Sequence, residues 1–188
     1  MIDPSRVSAV LVTRGNVDLT EILTSFTDAG LAEFIVWDNS RRPRDMAVFG
    51  RYEAIGEADG EVIYVQDDDC VLSRDQIRGV IAGYEPGAVT CNMTDRFREN
   101  YPDAALVGFG AVFDRDLPRR AFARFAVGRS SMLFLRTCDL VFTALTPRRF
   151  VDVGHRNLPW ATDPDRMYRS APLLAERKRM MEALREIT

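Results

Sequence analysis

The sequence has 188 residues, of which 46% are hydrophobic and 28% are charged, and these proportions exclude a largely disordered chain. Its 25 basic and 28 acidic residues give a net charge of −3, which argues against a nucleic-acid partner because phosphate binding requires a basic surface. The three cysteines form no Cys-x-x-Cys pair, the N-terminal residues lack the apolar core of a signal peptide, and no run of about 18 apolar residues provides a transmembrane segment. We therefore expect a cytoplasmic protein.

The first half of the chain alternates predicted strands and helices. Apolar runs rich in β-branched residues predict strands, which cover 7–13, 33–37, 61–65 and 88–91. Helical spacing of apolar residues predicts helices from Leu19 to a stop at Gly30, over 46–57, and after a capping box at Ser73. This alternation predicts an α/β fold, a three-layer α/β/α sandwich with a mostly parallel central sheet.

The second half is less regular. Residues 105–113 read as a strand with a turn at Gly108-Phe109-Gly110, and 134–145 read as a helix that Pro147 ends. A last strand is predicted over 150–153, and a final amphipathic helix from Pro172 onward.

Three consecutive aspartates, Asp67, Asp68 and Asp69, follow the third predicted strand directly. Adjacent carboxylates repel one another at neutral pH unless a cation lies among them. In an open parallel sheet, ligands bind beyond the carboxyl ends of the strands, where this turn lies. Carboxylate oxygens suit Mg²⁺ or Mn²⁺, which usually also bind substrate phosphates. The alternative is a polar turn that only caps the strand.

Two further residues are candidates for chemistry. His155, the single histidine, lies in a polar loop after the last predicted strand, where a neutral imidazole could bind Mn²⁺ or simply face solvent. Asp139 lies at the edge of the apolar face of a predicted helix. Partial burial there would raise its pKa toward a value useful for a general base. The alternative is a structural pair with Arg136 or another arginine.

Five segments of the chain match the pattern of a known family. They are Val10-Leu11-Val12-Thr13-Arg14, Trp37-Asp38-Asn39-Ser40, the DxD-like Asp67-Asp68-Asp69, Gly108-Phe109-Gly110 and Cys138-Asp139. Their order resembles a GT-A-type glycosyltransferase over roughly residues 6–157, in the style of family-2-like bacterial enzymes and exostosin-like α-N-acetylhexosaminyltransferases. The family usually has Glu-Asp where this chain has Cys138-Asp139, which leaves the role of the first acid without an obvious residue.

The resemblance implies a role for each matching residue. On the donor side, Thr13 and Arg14 would contact the nucleotide, Asp38 the base or ribose, and Arg51 would lie near the nucleotide unless it is only a solvated helix arginine. Asp67 and Asp69 would bind the diphosphate through Mn²⁺ or Mg²⁺, Asp68 would help orient the sugar, and His155 would complete the metal shell. Asp139 would act near the anomeric carbon, and Gly108, Phe109 and Gly110 would face the acceptor.

Two more groups are proposed from the late loop. Arg166 and Arg169 could close over the diphosphate as a lid, or pair with the neighbouring Asp163 and Asp165. Trp160 could stack on a sugar ring of the acceptor or anchor the core.

The expected function is that of a metal-dependent glycosyltransferase of the hexosyltransferase type. The donor would be a UDP-sugar, or a GDP-sugar, and the acceptor an unidentified glycan, glycolipid or protein. A base at Asp139 points to inversion, whereas the exostosin-like resemblance points to retention. We expect a single domain over 1–188, with a nucleotide-sugar-binding half (6–95), an acceptor and catalytic half (96–170) and a C-terminal helix (171–188).

Two alternatives stay open. One is a non-catalytic nucleotide- or metal-binding module of the same fold, which the missing first acid favours. The other is a sugar-1-phosphate nucleotidyltransferase, which would need a glycine-rich loop and a lysine soon after the first strand. The sequence there is Thr13-Arg14-Gly15-Asn16, which contains no lysine.

Overall fold

A computed structural model of the protein describes residues 2–125, 131–163 and 171–187. These residues form a six-stranded central sheet and a separate two-stranded ribbon. The strands are β1 (Val7–Thr13), β2 (Glu33–Asp38), β3 (Val62–Asp67), β4 (Cys70–Val71), β5 (Val89–Asn92), β6 (Ala111–Asp114), β7 (Arg148–Val151) and β8 (Arg156–Asn157). The helices are α1 (Thr20–Ala29), α2 (Gly50–Ala54), α3 (Arg74–Ala82), α4 (Asp95–Asn100), α5 (Leu117–Ala123), α6 (Met132–Ala144) and α7 (Ala171–Arg185).

The central sheet is mixed but mostly parallel. Its strand order is β2-β1-β3-β6-β5-β7, and the ribbon pairs β4 with β8. β1 runs parallel to β2 and β3, and β5 runs parallel to β7, while β6 is antiparallel to both of its neighbours. Five of the six strands therefore point the same way, so their carboxyl ends lie along one edge of the sheet.

Both faces of the sheet are covered. Alternate residues of β1 enter different apolar clusters, with Val10 on one face and Ala9 and Leu11 on the other. All seven residues of β1 are buried, which explains the continuous apolar run in the sequence. The first cluster includes Phe142 of α6, and the second includes Ile22 of α1. The α/β sandwich predicted from the sequence is confirmed.

The helix predicted over 46–57 is broken into pieces. A 3₁₀ turn (Ala47–Phe49) precedes α2, and another (Ile55–Glu57) follows it. The buried side chain of Asn39 explains the irregular entry, because it accepts a hydrogen bond from the Met46 amide and donates one to the Ala47 carbonyl. Gly50 then packs against the indole of Trp37, where a Cβ would lie 2.4 Å from Cδ1.

Within the described residues, no helix combines the length and the apolar character needed to cross a bilayer.

The capping box predicted at Ser73 is confirmed, since its side chain accepts from the Gln76 amide and the Gln76 side chain accepts from the Ser73 amide. The helix stop predicted at Gly30 is confirmed as well, and Gly30 adopts a left-handed conformation with φ +78°.

Candidate functional site

The carboxyl ends of β1, β2 and β3 bring three predicted site residues to one place. In the parallel register, Thr13 pairs with Asp38 on one side of β1, and Val12 pairs with Asp67 on the other. Thr13, Asp38 and Asp67 are therefore last residues of neighbouring strands. This is the edge at which ligands bind in open α/β sheets.

The loop after β1 lies directly against Asp38. The Gly15 amide donates to Thr13 Oγ1 at 3.1 Å, and Gly15 adopts φ +77°. A Cβ at Gly15 would lie 2.4 Å from Asp38 Oδ1, so this close approach requires glycine. Asp38 also accepts hydrogen bonds from the amide and the hydroxyl of Ser40, and Arg41 Nε lies 3.2 Å from its other oxygen. Arg14, beside this turn, is exposed.

The acidic turn presents two of its three carboxylates. The side chain of Asp67 is 37% exposed and Asp69 is partly exposed, whereas Asp68 is buried. A sugar therefore has little access to Asp68 in this arrangement. The indole of Trp160 donates to the Asp68 carbonyl at 2.6 Å, and the Leu158 amide donates to the Asp69 carbonyl at 2.8 Å. These two hydrogen bonds hold the segment after His155 against the acidic turn.

Gly108 packs against the same turn from the other side. The Asp67 amide donates to the Gly108 carbonyl at 2.8 Å. A Cβ on Gly108 would lie 2.1 Å from Asp67 Oδ2, closer than any real contact. The glycine turn predicted to face the acceptor therefore adjoins the predicted metal ligand.

Asn92, at the end of β5, forms hydrogen bonds with both the loop that contains Phe109 and the loop that contains Gly154. Its amide nitrogen donates to the carbonyls of Phe109 (2.8 Å) and Gly154 (3.0 Å), and its Oδ1 accepts from the Val153 amide (3.1 Å). The His155 ring then stacks on Phe109, with 4.3 Å between centroids and 9° between planes. Asn92 was not among the predicted site residues. The signal was a polar residue at the carboxyl end of a predicted buried strand.

The residues of this edge suit a divalent cation by their chemistry. Burial lowers the pKa of His155, although the hydrogen bond with Asn157 and the charge of Asp152 act to raise it. The ring is therefore neutral at pH 7 and able to bind metal. Asp67 and Asp69 supply hard oxygen ligands. Across the described ranges, however, no three His, Cys, Asp or Glu side chains are already grouped as a metal site. Any cation here would need further oxygens, such as those of a diphosphate.

A buried arginine joins the acidic turn to the predicted catalytic acid. Arg51 is 1% exposed, its Nη2 lies 2.6 Å from Asp67 Oδ1 and 3.7 Å from Asp139 Oδ2, and its Nε donates to the Val48 carbonyl. Burial alone would lower the pKa of Arg51, but the carboxylates of Asp139 and Asp67 outweigh it and raise the pKa above its ordinary value. The alternative of a solvated helix arginine is wrong.

Asp139 lies at the boundary of the core, as the helical spacing predicts. Its side chain is 17% exposed, and the Tyr52 hydroxyl donates to Oδ1 at 2.7 Å. Burial raises the pKa of Asp139, while Arg51 and the Tyr52 hydrogen bond oppose the rise. Arg136 is not its partner, because that side chain pairs with Glu176 at 3.3 Å, but the alternative of a pair with another arginine fits Arg51, whose Nη2 lies 3.7 Å from Asp139 Oδ2. A desolvated carboxylate of this kind is a candidate general base.

Three predicted residues are less well supported by position. Trp160 is partly buried against the second apolar cluster, which agrees with the anchoring alternative. Arg166 and Arg169 lie outside the described residues. A cavity of about 670 Å³ lies beside α1, the start of α3 and the ribbon, and its lining includes Arg156 but none of the predicted site residues.

Comparisons with known proteins find matches only at the level of structure. No protein-family model matches the sequence, and no curated protein matches it either. One similar structure is 4-diphosphocytidyl-2C-methyl-D-erythritol synthase from Anaerococcus prevotii, at 11% identity and a TM-score of 0.57, over 93% of this chain and 98% of that one.

Two glycosyltransferases are also similar in structure. A mannosyltransferase from Pyrobaculum calidifontis, solved with GDP-Man and Mn²⁺, matches at 13% identity and a TM-score of 0.53, over 79% of this chain and 55% of that one. Glucosyl-3-phosphoglycerate synthase from Mycobacterium tuberculosis, solved with Mg²⁺ and UDP, matches at 12% identity and a TM-score of 0.52, over 97% and 80%. The chain therefore has the GT-A-like fold found in these glycosyltransferases and in the 4-diphosphocytidyl-2C-methyl-D-erythritol synthase.

Proposed function

We propose that the protein is a metal-dependent glycosyltransferase that transfers a sugar from a nucleoside diphosphate donor. The observation that carries this proposal is the buried Arg51, which contacts a carboxylate of the acidic turn and lies beside Asp139. Asp67, which is expected to hold the donor, and Asp139, which is expected to act on the acceptor, thus flank the same guanidinium group. The fold and the bound nucleotides of its structural neighbours support the same reading.

The donor would lie across the carboxyl edge of the sheet. Thr13, Arg14 and Asp38 would contact the nucleotide, and the packing of the turn after β1 on Asp38 supports this assignment. Asp67 and Asp69 would hold Mn²⁺ or Mg²⁺, and His155 would have to move toward them to become a third ligand, because these three side chains are not grouped. A metal bound there would act as a Lewis acid and would neutralise charge on the departing diphosphate. Arg166 and Arg169 remain candidates for a lid.

Asp139 would remove the proton from the attacking hydroxyl. Burial raises the pKa of Asp139, which favours proton uptake, and the nearby Arg51 limits that rise. Direct attack by that hydroxyl on the anomeric carbon implies inversion of configuration. UDP-sugars are the first donors to test and GDP-sugars the second. The acceptor would approach from the side of Gly108, Phe109 and Gly110.

The first experiment is a thermal-shift series with UDP and GDP, with UDP-glucose and GDP-mannose, and with Mn²⁺ present or absent. A ligand at 100 times its Kd adds about 2.7 kcal/mol, which raises Tm by roughly 5–10 °C in a chain of this size. Asp69→Ala is expected to abolish the part of the shift that depends on Mn²⁺. Asp116→Ala is the matched control, because this exposed aspartate follows β6 at the opposite edge of the sheet. An unchanged Mn²⁺-dependent shift in Asp69→Ala would remove the acidic turn from metal binding.

The second measurement is slow release of UDP or GDP, with water as the acceptor. Asp139→Asn is expected to keep the thermal shift and to lower release about 10²- to 10⁴-fold. A thermal shift without any release in the wild-type protein would favour the non-catalytic binding module instead. Pyrophosphate release from a nucleoside triphosphate and a sugar phosphate would favour a nucleotidyltransferase. The chain's single lysine, Lys178, lies on α7, far along the chain from the loop after β1.

A further inference from the structure

The carboxylate of Asp139 is held asymmetrically. Its Oδ1 accepts a hydrogen bond of 2.7 Å from the Tyr52 hydroxyl. Its Oδ2 lies 3.7 Å from Arg51 Nη2, which is too long for a hydrogen bond. From residues 2–125, 131–163 and 171–187, no donor reaches Oδ2 within hydrogen-bond distance. One oxygen is therefore anchored, and the other is available to accept a proton.

The Tyr52 ring is fixed by aromatic packing, so its hydroxyl has a defined position. The ring meets Phe122 edge-on, with 5.0 Å between centroids and 89° between planes, and lies 5.8 Å from Phe142 and 5.9 Å from Phe49. These contacts involve only the ring, so Tyr52→Phe removes the hydroxyl and keeps the packing. Tyr52 also follows Arg51 directly on α2, and the two side chains reach the same carboxylate.

We propose that Tyr52 is a positioning residue for Asp139, an inference that rests on the proposed function. Its hydroxyl holds Oδ1 and thereby keeps Oδ2 directed at the attacking hydroxyl. In the transfer step, that hydroxyl gives its proton to Oδ2 while its oxygen forms the bond to the anomeric carbon. The bond between that carbon and the diphosphate oxygen breaks, and the electron pair leaves with the diphosphate.

Arg51 explains why the carboxylate needs this anchor. Its Nη1 is buried and donates to no acceptor in the part of the chain that the structure describes. Arginine binds carboxylates best through two parallel hydrogen bonds. A carboxylate released by Tyr52 can turn toward the guanidinium, and Oδ2 would then be engaged by Arg51 instead of by substrate.

The test compares the wild-type protein, Tyr52→Phe, Asp139→Asn and the double variant by steady-state release of UDP from UDP-glucose with Mn²⁺. GDP-mannose replaces UDP-glucose if it is the better donor. Tyr52→Phe is expected to lower kcat about 10- to 100-fold, the range for one lost hydrogen bond to a charged group. KM for the donor and the Mn²⁺-dependent thermal shift are expected to stay unchanged. In the Asp139→Asn background, removal of the hydroxyl is expected to have no further effect.

Tyr84→Phe is the matched control, because Tyr84 also donates to an aspartate, Asp114, but at the opposite edge of the sheet. Its kcat is expected to equal that of the wild type. A wild-type kcat in Tyr52→Phe, or an equal loss in the wild-type and Asp139→Asn backgrounds, would overturn the positioning role while leaving the proposed function intact. A wild-type protein that turns over neither donor would overturn the proposed function and this inference together.

Discussion

Replacing Gly108 with alanine tests the close contact between the glycine turn and the acidic turn. The new Cβ would lie 2.1 Å from Asp67 Oδ2 and 2.6 Å from Asp67 Cγ, whereas ordinary contacts begin near 3.4 Å. The carboxylate would therefore have to retreat by about 1.3 Å. Gly108 does not adopt a positive φ, so the backbone accepts alanine and the strain falls on Asp67. That movement also disturbs the 2.6 Å ion pair with Arg51.

The expected result has two parts. Overpacking of this kind costs about 1–3 kcal/mol, which corresponds to a fall in Tm of roughly 2–12 °C for a chain of this size. The Mn²⁺-dependent thermal shift with UDP is expected to disappear, because metal–ligand distances tolerate a displacement of only about 0.2 Å. Differential scanning fluorimetry with and without Mn²⁺ measures both effects in one series.

Gly56→Ala is the matched control, because a Cβ at exposed Gly56 would have no neighbour within 4 Å and its φ is not positive. This variant is expected to match the wild type in Tm and in the Mn²⁺-dependent shift. If Gly108→Ala kept a wild-type Mn²⁺-dependent shift, the position of the Asp67 carboxylate would not matter for metal binding. The assignment of Asp67 as a ligand would then be refuted.

Two further predictions concern stability. Arg51→Met leaves Asp67 and Asp139 without their shared cation and is expected to lower the free energy of unfolding by about 3–5 kcal/mol, measured in urea. Adding Asp139→Asn should restore part of that loss, and strictly additive losses would argue against the shared pair. Tyr84→Phe is expected to flatten the fall in stability at alkaline pH, because burial, and then the hydrogen bond to Asp114, raise the pKa of Tyr84 to about 12. A raised folded-state pKa stabilises the protein fully below the unfolded value near 10, and this contribution is lost between about pH 10 and 12. Urea titrations at pH 9, 10 and 11 would contradict this if both proteins lost stability equally.

The elements that the sequence predicted well are those set by local patterns. β1 and β3 are buried on both faces, so their apolar runs are unbroken and easily identified. α3 begins at a capping box and α1 ends at a left-handed glycine, both of which are local signals. The ribbon of β4 and β8 was not predicted. Each of its strands has only two residues, and their pairing depends on contacts between distant parts of the chain.

The site was predicted in its parts but not in its connections. The acids were visible in the sequence because aspartates after a buried strand, or at the edge of an apolar helix face, are unusual. The bond from Tyr52 to Asp139 joins residues 87 positions apart, and the bond from Arg51 to Asp67 depends on how α2 packs against β1 and β2. Spacing within one sequence carries no information about such pairs. Asn92 was missed for the same reason, since its three partners lie on two other loops.

The buried arginine links the stability of this edge to its proposed chemistry. A guanidinium that is 1% exposed is tolerated only beside carboxylates, and Asp67 and Asp139 supply them. Arg51 Nη2, 2.6 Å from Asp67 Oδ1, already neutralises much of the charge of this carboxylate. A metal ion bound at Asp67 would also lie close to the positive charge of Arg51, and that repulsion costs free energy that Asp69, His155 and diphosphate oxygens would have to supply. We accordingly expect Mn²⁺ to bind strongly only together with a nucleoside diphosphate.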